Sequence, residues 1–113
     1  MFMKYAVTSI GKSFESAIDR RFGRCAYIVT FETETKTIVS FPNPYKDKDE
    51  DVGPALVGLL HEKGVQKVIS GSFGIRIKDL MDSKHIQMII PKDGNLTVAS
   101  VIDLIERRSR LRS

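Results

Sequence analysis

One cysteine, Cys25, and two histidines, His61 and His85, are all that the 113 residues hold of those two types. A single thiol excludes an internal disulfide and any metal cage built from cysteine alone. Two histidines do not complete a closed zinc site, which takes four ligands. No apolar run is long enough to span a bilayer, and the first residues lack a signal-peptide pattern, so a cytoplasmic protein is expected. The acidic run Lys46-Asp47-Lys48-Asp49-Glu50-Asp51 lacks EF-hand spacing, leaving a divalent-cation site there as a remote alternative to an exposed loop. No glycine turn continues into Gly-Lys-Ser/Thr, which excludes a Walker loop. No repeat, linker or low-complexity segment interrupts the chain, and residues 1–113 are expected to form one domain.

Charge is equally uninformative over most of the chain. The formal net charge is +4, of which residues 104–113 carry +3 through Arg107, Arg108, Arg110 and Arg112 against Glu106. The body is therefore almost neutral, and a general nucleic-acid surface is not implied. The basic C-terminal tail reads as a solvated helix end, with cations favourable near the C-terminus.

What the sequence does concentrate is Asp19-Arg20-Arg21-Phe22-Gly23-Arg24-Cys25. A thiolate is a soft metal ligand and a nucleophile, and nearby cations lower its pKa. Arg20, Arg21 and Arg24 would supply that field and could hold an anion by forked hydrogen bonds. Gly23 permits positive φ and close approach of a ligand. The same residues also read as a basic surface turn enclosing a buried, inert cysteine.

Around this stretch the patterning alternates. Strands are expected at residues 3–10, 26–31, 37–41, 65–69 and 86–90, each short, apolar and rich in β-formers. The second and third form a hairpin across Thr33–Lys36. A connection of about fifteen residues between the first two strands is long for a compact domain and tends to be functional or mobile. Gly53-Pro54 opens a helix with Pro54 at its first position and Leu56, Leu59 and Leu60 inward, ended by Gly64. His61 falls beside that stripe, at its rim. A second helix should run from Ile75 to about Asp82, with Ile77, Leu80 and Met81 inward. Thr97 caps a third, with Val98, Val101, Ile102 and Ile105 on one face. Gly71-Ser72-Phe73-Gly74, between strand and helix, is a turn that could offer backbone N–H groups to an anion, or could simply let the two elements pack.

The order βββαβαβα predicts an α/β fold: a five-stranded mixed sheet flanked by helices, with strand 2 antiparallel. The loops after strands 1 and 4 leave from one end of such a sheet, so the arginine–cysteine stretch and the glycine turn should face one crevice.

Taken in order, Asp19-x-x-Phe22-Gly23-Arg24-Cys25-x-Tyr27, Glu34-Thr35, Asn43-Pro44, Gly64-Val65, Gly71-x-x-Gly74 and Gly94-x-x-Thr97-Val98 resemble the dinitrogenase iron–molybdenum cofactor biosynthesis family over nearly the whole chain. The chain departs from the family pattern at Ala26, where proline is common, at Ile75-Arg76-Ile77 after the glycine turn, and at the acidic Asp49–Val52. The resemblance implies a ribonuclease-H-like sheet of order 3-2-1-4-5. It also implies a non-catalytic carrier of an anionic iron–sulfur or iron–molybdenum cluster, or of its precursor. The site would comprise Arg20, Arg21, Gly23, Arg24, Cys25, Gly71, Ser72, Phe73 and Gly74, with Cys25 as the metal ligand. Partners would be the cluster and a protein that donates or accepts it. The alternative is a module for another anion or a protein partner. A nuclease-type enzyme is less supported, because the first strand carries no carboxylate between Met3 and Ile10.

Overall fold

A computed structural model describes residues 3–112, with side chains of the last helix as far as Arg108. The C-terminal arginine side chains Arg110 and Arg112, and Ser113, lie outside the described residues. Eight elements follow the expected order: β1 (Lys4–Ser9), β2 (Tyr27–Glu32), β3 (Ile38–Pro42), α1 (Val52–Glu62), β4 (Lys67–Ile69), α2 (Ile77–Ser83), β5 (Gln87–Ile89) and α3 (Val98–Arg112). They build one five-stranded sheet of order β3-β2-β1-β4-β5. Strand β1 pairs antiparallel with β2 (Val7 opposite Val29) and parallel with β4 (Ala6 opposite Val68). Strand β5 extends the parallel half, and β3 closes the hairpin on the other edge.

Side chains alternate across a sheet, so each strand feeds two cores. Ala6, Ile28 and Val68 face α1 and α2, where they meet Leu56, Leu60, Ile77 and Met81. Val7, Val29, Phe31 and Ile69 face α3, where they meet Val98, Val101, Ile102 and Ile105. The apolar faces expected from helical spacing are thus the buried ones, with Leu59 and Leu80 partly buried at the margin and His61 exposed.

Two helix starts differ from expectation. Helix α1 begins at Val52, so Pro54 is its third residue rather than its first. The first-turn amides have no intrahelical acceptor, so proline is tolerated anywhere in that turn. Helix α2 begins at Ile77, two residues later than expected, because Ile75 and Arg76 remain in the turn. The long connection after β1 is also less free than its length suggests. It bridges β1 at Ser9–Ile18 and meets Thr97 through Ala17. Its carbonyls at Ser16 and Phe14 accept from the amides of Val98 and Ala99 at 3.0 and 2.9 Å, so the loop satisfies the start of α3. The hydroxyl of Thr97 adds the expected cap, accepting from the Ser100 amide at 3.2 Å.

The topology decides what lies near what. The carboxyl ends of β1 and β4, the entry to β2 and the exit of β3 share one end of the sheet, because Ser9 is opposite Tyr27 and Tyr27 is opposite Pro42. Residues 10–26, 43–51 and 70–76 therefore converge there.

Candidate functional site

The convergence is organised by a residue absent from the expected site. Asp19 is 2% exposed. Its carboxylate accepts from the Arg21 amide at 2.9 Å, from Arg21 Nε at 3.2 Å, from Arg21 Nη2 at 3.3 Å and from the Ala26 amide at 3.2 Å. This closes residues 19–26 into a ring and gives a buried charge its partners. The Asp19 carbonyl accepts from Thr8 Oγ1, Ser70 Oγ and the Gly71 amide, which fastens the ring to the ends of β1 and β4. Asn43 does the same from the β3 side. Its Nδ2 donates to the carbonyls of Gly23 at 2.8 Å and Cys25 at 3.0 Å, and its Oδ1 accepts from the Tyr45 amide at 3.0 Å.

Cys25 is at the centre of this scaffold and is fully buried. Burial pushes its thiol up to about 12, the nearby Asp19 charge adds to the rise, and the Asn43 Nδ2 contact at 3.7 Å offsets it only in part. The expectation of an exposed, acidified thiolate ready to ligate metal is therefore corrected. Of the three arginines only Arg21 lowers the thiol's pKa, as the smallest contribution, and burial in the core and the Asp19 charge outweigh it. Among the described residues, no three His, Cys, Asp or Glu side chains gather to hold a metal ion.

The remaining expected residues divide between two clefts. Arg21, Gly23, Arg24, Ser72, Phe73 and Gly74 line one of about 480 Å³, together with Asp51, Val52, Pro54 and Arg76. Arg20 and Gly71 line a neighbouring cleft of about 310 Å³ with Ile18, Pro91, Asp93 and Gly94, and Ser72 reaches both. The wall between them is stitched: the Gly71 amide donates to the Asp19 carbonyl at 3.1 Å, and the Ser72 hydroxyl donates to the Arg20 carbonyl. Thus the two segments share one end of the sheet, but Arg20 turns away from Arg21 and Arg24.

The glycines also sort by role. A Cβ on Gly23 would lie 2.7 Å from a Val52 methyl carbon and 3.0 Å from the Gly53 nitrogen, and one on Gly71 would lie 2.7 Å from the Arg20 Cα. Both positions are glycine because chain crosses chain there; neither has the positive φ that Gly23 would permit. Phe73 packs its ring on Phe22, centroids 5.3 Å apart, joining the two segments beneath the larger cleft.

The larger cleft is basic and rich in donors. Arg21 keeps its proton firmly because of the Asp19 hydrogen bond and charge. Arg24 aims its guanidinium at the carbonyls of Lys46, Lys48 and Asp49 and has no carboxylate partner among the described residues. Arg76, noted in the sequence only as part of a departure from the family pattern and not as a site residue, is exposed at the cleft. Among the described residues, the amides of Ser72 to Arg76 donate to no protein acceptor. Asp51, at φ 60° before α1, is the one acidic lining residue. Charge and N–H donors of this kind are the chemistry that binds compact anions without a covalent or coordinate bond.

The family model described as dinitrogenase iron-molybdenum cofactor matches residues 3–107. The chain belongs to the dinitrogenase iron-molybdenum cofactor family. No curated protein matches it. Among solved structures of similar fold is the apo form of the orange protein from Desulfovibrio gigas, with a TM-score of 0.83 and 21% identity over 94% of this chain and 88% of that one. An NMR structure from Thermotoga, named there as a candidate NifB protein, has a TM-score of 0.77 and 26% identity over 93% and 88%. A candidate dinitrogenase from Methanocaldococcus jannaschii has a TM-score of 0.64 and 15% identity over 96% and 91%. The family match includes the Asp19–Tyr27 motif, both Asn43 and the glycine turn, so the residues that build the larger cleft lie within the span that defines the family.

Proposed function

We propose that this member of the dinitrogenase iron-molybdenum cofactor family carries an anionic metal–sulfur species in its larger cleft, as cargo and without catalysis. The cargo is an iron–molybdenum or iron–sulfur cluster, or a precursor of one. The observation that carries the reading is the meeting of residues 21–24 and 72–76 around a cleft of about 480 Å³ lined by Arg21, Arg24 and Arg76, the last in a turn whose amides have no protein acceptor among the described residues. A preassembled cluster brings its own sulfides, whose negative charge accepts hydrogen bonds from guanidinium and amide groups. A stable cluster site built by the protein itself would use about four cysteines. Here the donor set fits charge and hydrogen-bond capture, with Cys25 buried in the core and not among the lining residues. Among the described residues no helix is long and apolar enough to cross a membrane. Transfer to or from a partner protein in the cytoplasm completes the proposal.

Anaerobic incubation with tetrathiomolybdate, a simple molybdenum–sulfur dianion, followed by desalting and molybdenum analysis, tests the reading. Retention near one equivalent is expected, weakened roughly tenfold by Arg76→Ala, a loss typical of one charged hydrogen-bonding partner. Cys25→Ala should retain the anion. Loss of binding in Cys25→Ala with Arg76→Ala unaffected would return the site to the thiol. Equal retention of phosphate would make the protein a binder of anions in general.

A further inference from the structure

Arg24 lines the larger cleft, yet its guanidinium is already occupied. Nη1 donates to the carbonyls of Lys46 and Lys48, both at 3.1 Å, and Nη2 donates to the carbonyl of Asp49 at 3.3 Å. These acceptors are neutral backbone oxygens, although the same segment offers the carboxylates of Asp47, Asp49 and Glu50. The positive charge is thus used as a fork of donors but is not neutralised by any carboxylate among the described residues.

The segment it holds is exposed from Lys46 to Asp51 and carries four acidic residues against two lysines. Its other bonds are few: Lys48 Nζ donates to the Glu50 carbonyl at 3.0 Å, the Lys48 amide to the Tyr45 carbonyl at 3.0 Å and the Lys46 amide to the Asn43 carbonyl at 3.4 Å. It ends at Asp51, a cleft-lining residue whose carbonyl accepts from the Ala55 amide in the first turn of α1.

We propose that Arg24 is a latch, exchanging between the carbonyls of residues 46–49 in the free protein and the anion in the loaded one, so that loading releases the segment 46–51. This rests on the function proposed above. Two physical effects drive the exchange in the same direction. Hydrogen bonds from guanidinium to an anion are roughly twice as strong as those to neutral acceptors. An anion in the cleft also repels a segment with excess negative charge beside Asp51. The released segment, differing in shape and mobility between the two states, is what a partner can read to tell loaded from free protein.

Hydrogen exchange by mass spectrometry, on full-length protein with and without tetrathiomolybdate, tests the latch. The amides of Lys46 and Lys48, which donate to the Asn43 and Tyr45 carbonyls, should exchange roughly tenfold faster on loading, because the turn they close opens when Arg24 leaves its carbonyls. Free Arg24→Ala should already show the fast rate and gain nothing on loading. Arg24→Lys, which keeps the charge but cannot reach three carbonyls, should bind tetrathiomolybdate with the segment already fast, and it serves if the alanine variant fails to fold. Binding confirmed by molybdenum content, with 46–51 exchange unchanged, would sink the latch and leave the carrier reading standing. No binding at all would overturn both.

Discussion

Cys25 reads two ways in the sequence because the same neighbours allow both. Three arginines within five residues suggest an acidified thiolate, while an apolar strand beginning at Ala26 suggests burial. The decision lies in contacts that sequence spacing does not carry: Asp19 takes Arg21, backbone carbonyls take Arg24, and Arg20 faces another cleft. Burial then pushes the thiol's pKa up to about 12 in the fold, from an ordinary value of 9.0. Between those values the unfolded chain has lost a proton that the folded chain keeps. This contribution is whole below pH 9 and falls as pH rises through the window, by up to about 1.4 kcal/mol per pH unit. Cys25→Ala should cost about 1–2 kcal/mol at pH 7 from the lost packing. Above pH 9 the gap between the two proteins should narrow, since only the wild type has the thiol to ionise. Urea denaturation at pH 7, 9 and 10 reads this, and a gap that stays constant would place the thiol in solvent. Iodoacetamide should alkylate the native protein far more slowly than a free thiol.

At the scale of elements, the glycine turn between β4 and α2 was legible as a turn but not as two different glycines. Gly71 is required by a neighbour some fifty residues earlier in the chain, the Arg20 backbone, whose Cα would stand 2.7 Å from an added Cβ. Gly74 would place its Cβ 3.6 Å from Ile77 Cγ1, an ordinary contact. Gly71→Ala should therefore destabilise by about 1–3 kcal/mol, as overpacking does, and Gly74→Ala should stay within about 0.5 kcal/mol. In the proposed carrier, Gly74→Ala narrows the cleft and should lower tetrathiomolybdate retention at unchanged thermal stability. Equal thermal stability of the two variants would mean that the stitched wall is not rigid. The same non-locality hid Asp19 and Asn43. Both sit in motifs visible along the chain, but their importance lies in closing residues 19–26 onto β1, β3 and β4, which only the sheet brings together.

Over the whole molecule, the five strands, the three helices and the mixed sheet with an antiparallel strand 2 followed from periodicity and from the right-handed logic of alternating strands and helices, because those rules depend on local pattern, while the order 3-2-1-4-5 came with the family resemblance. The distribution of charge followed less well. The densest run of positive charge is at the C-terminus, yet the cleft draws its cations from Arg21, Arg24 and Arg76, single residues delivered by separate loops. Helix α3 contacts the sheet through Val98, Val101, Ile102 and Ile105, and the residues just beyond, Arg107 and Arg108, are exposed. Arg107 pairs with Asp103 at 3.0 Å on the solvent side, an arrangement worth about 0.3–0.5 kcal/mol at most. A chain ending after Arg107 keeps every α3 residue that packs in the described core. It should unfold within a few degrees of the full-length protein, because a loss near 1 kcal/mol moves the midpoint of a domain of this size by roughly 4–8 °C. It should also retain tetrathiomolybdate unchanged, since every described lining residue of the cleft lies between Arg21 and Ile77. Calorimetry and molybdenum retention on the truncated chain check both. Nucleic-acid binding that weakens steeply with salt and disappears on truncation would instead give the tail a polyanion partner of its own.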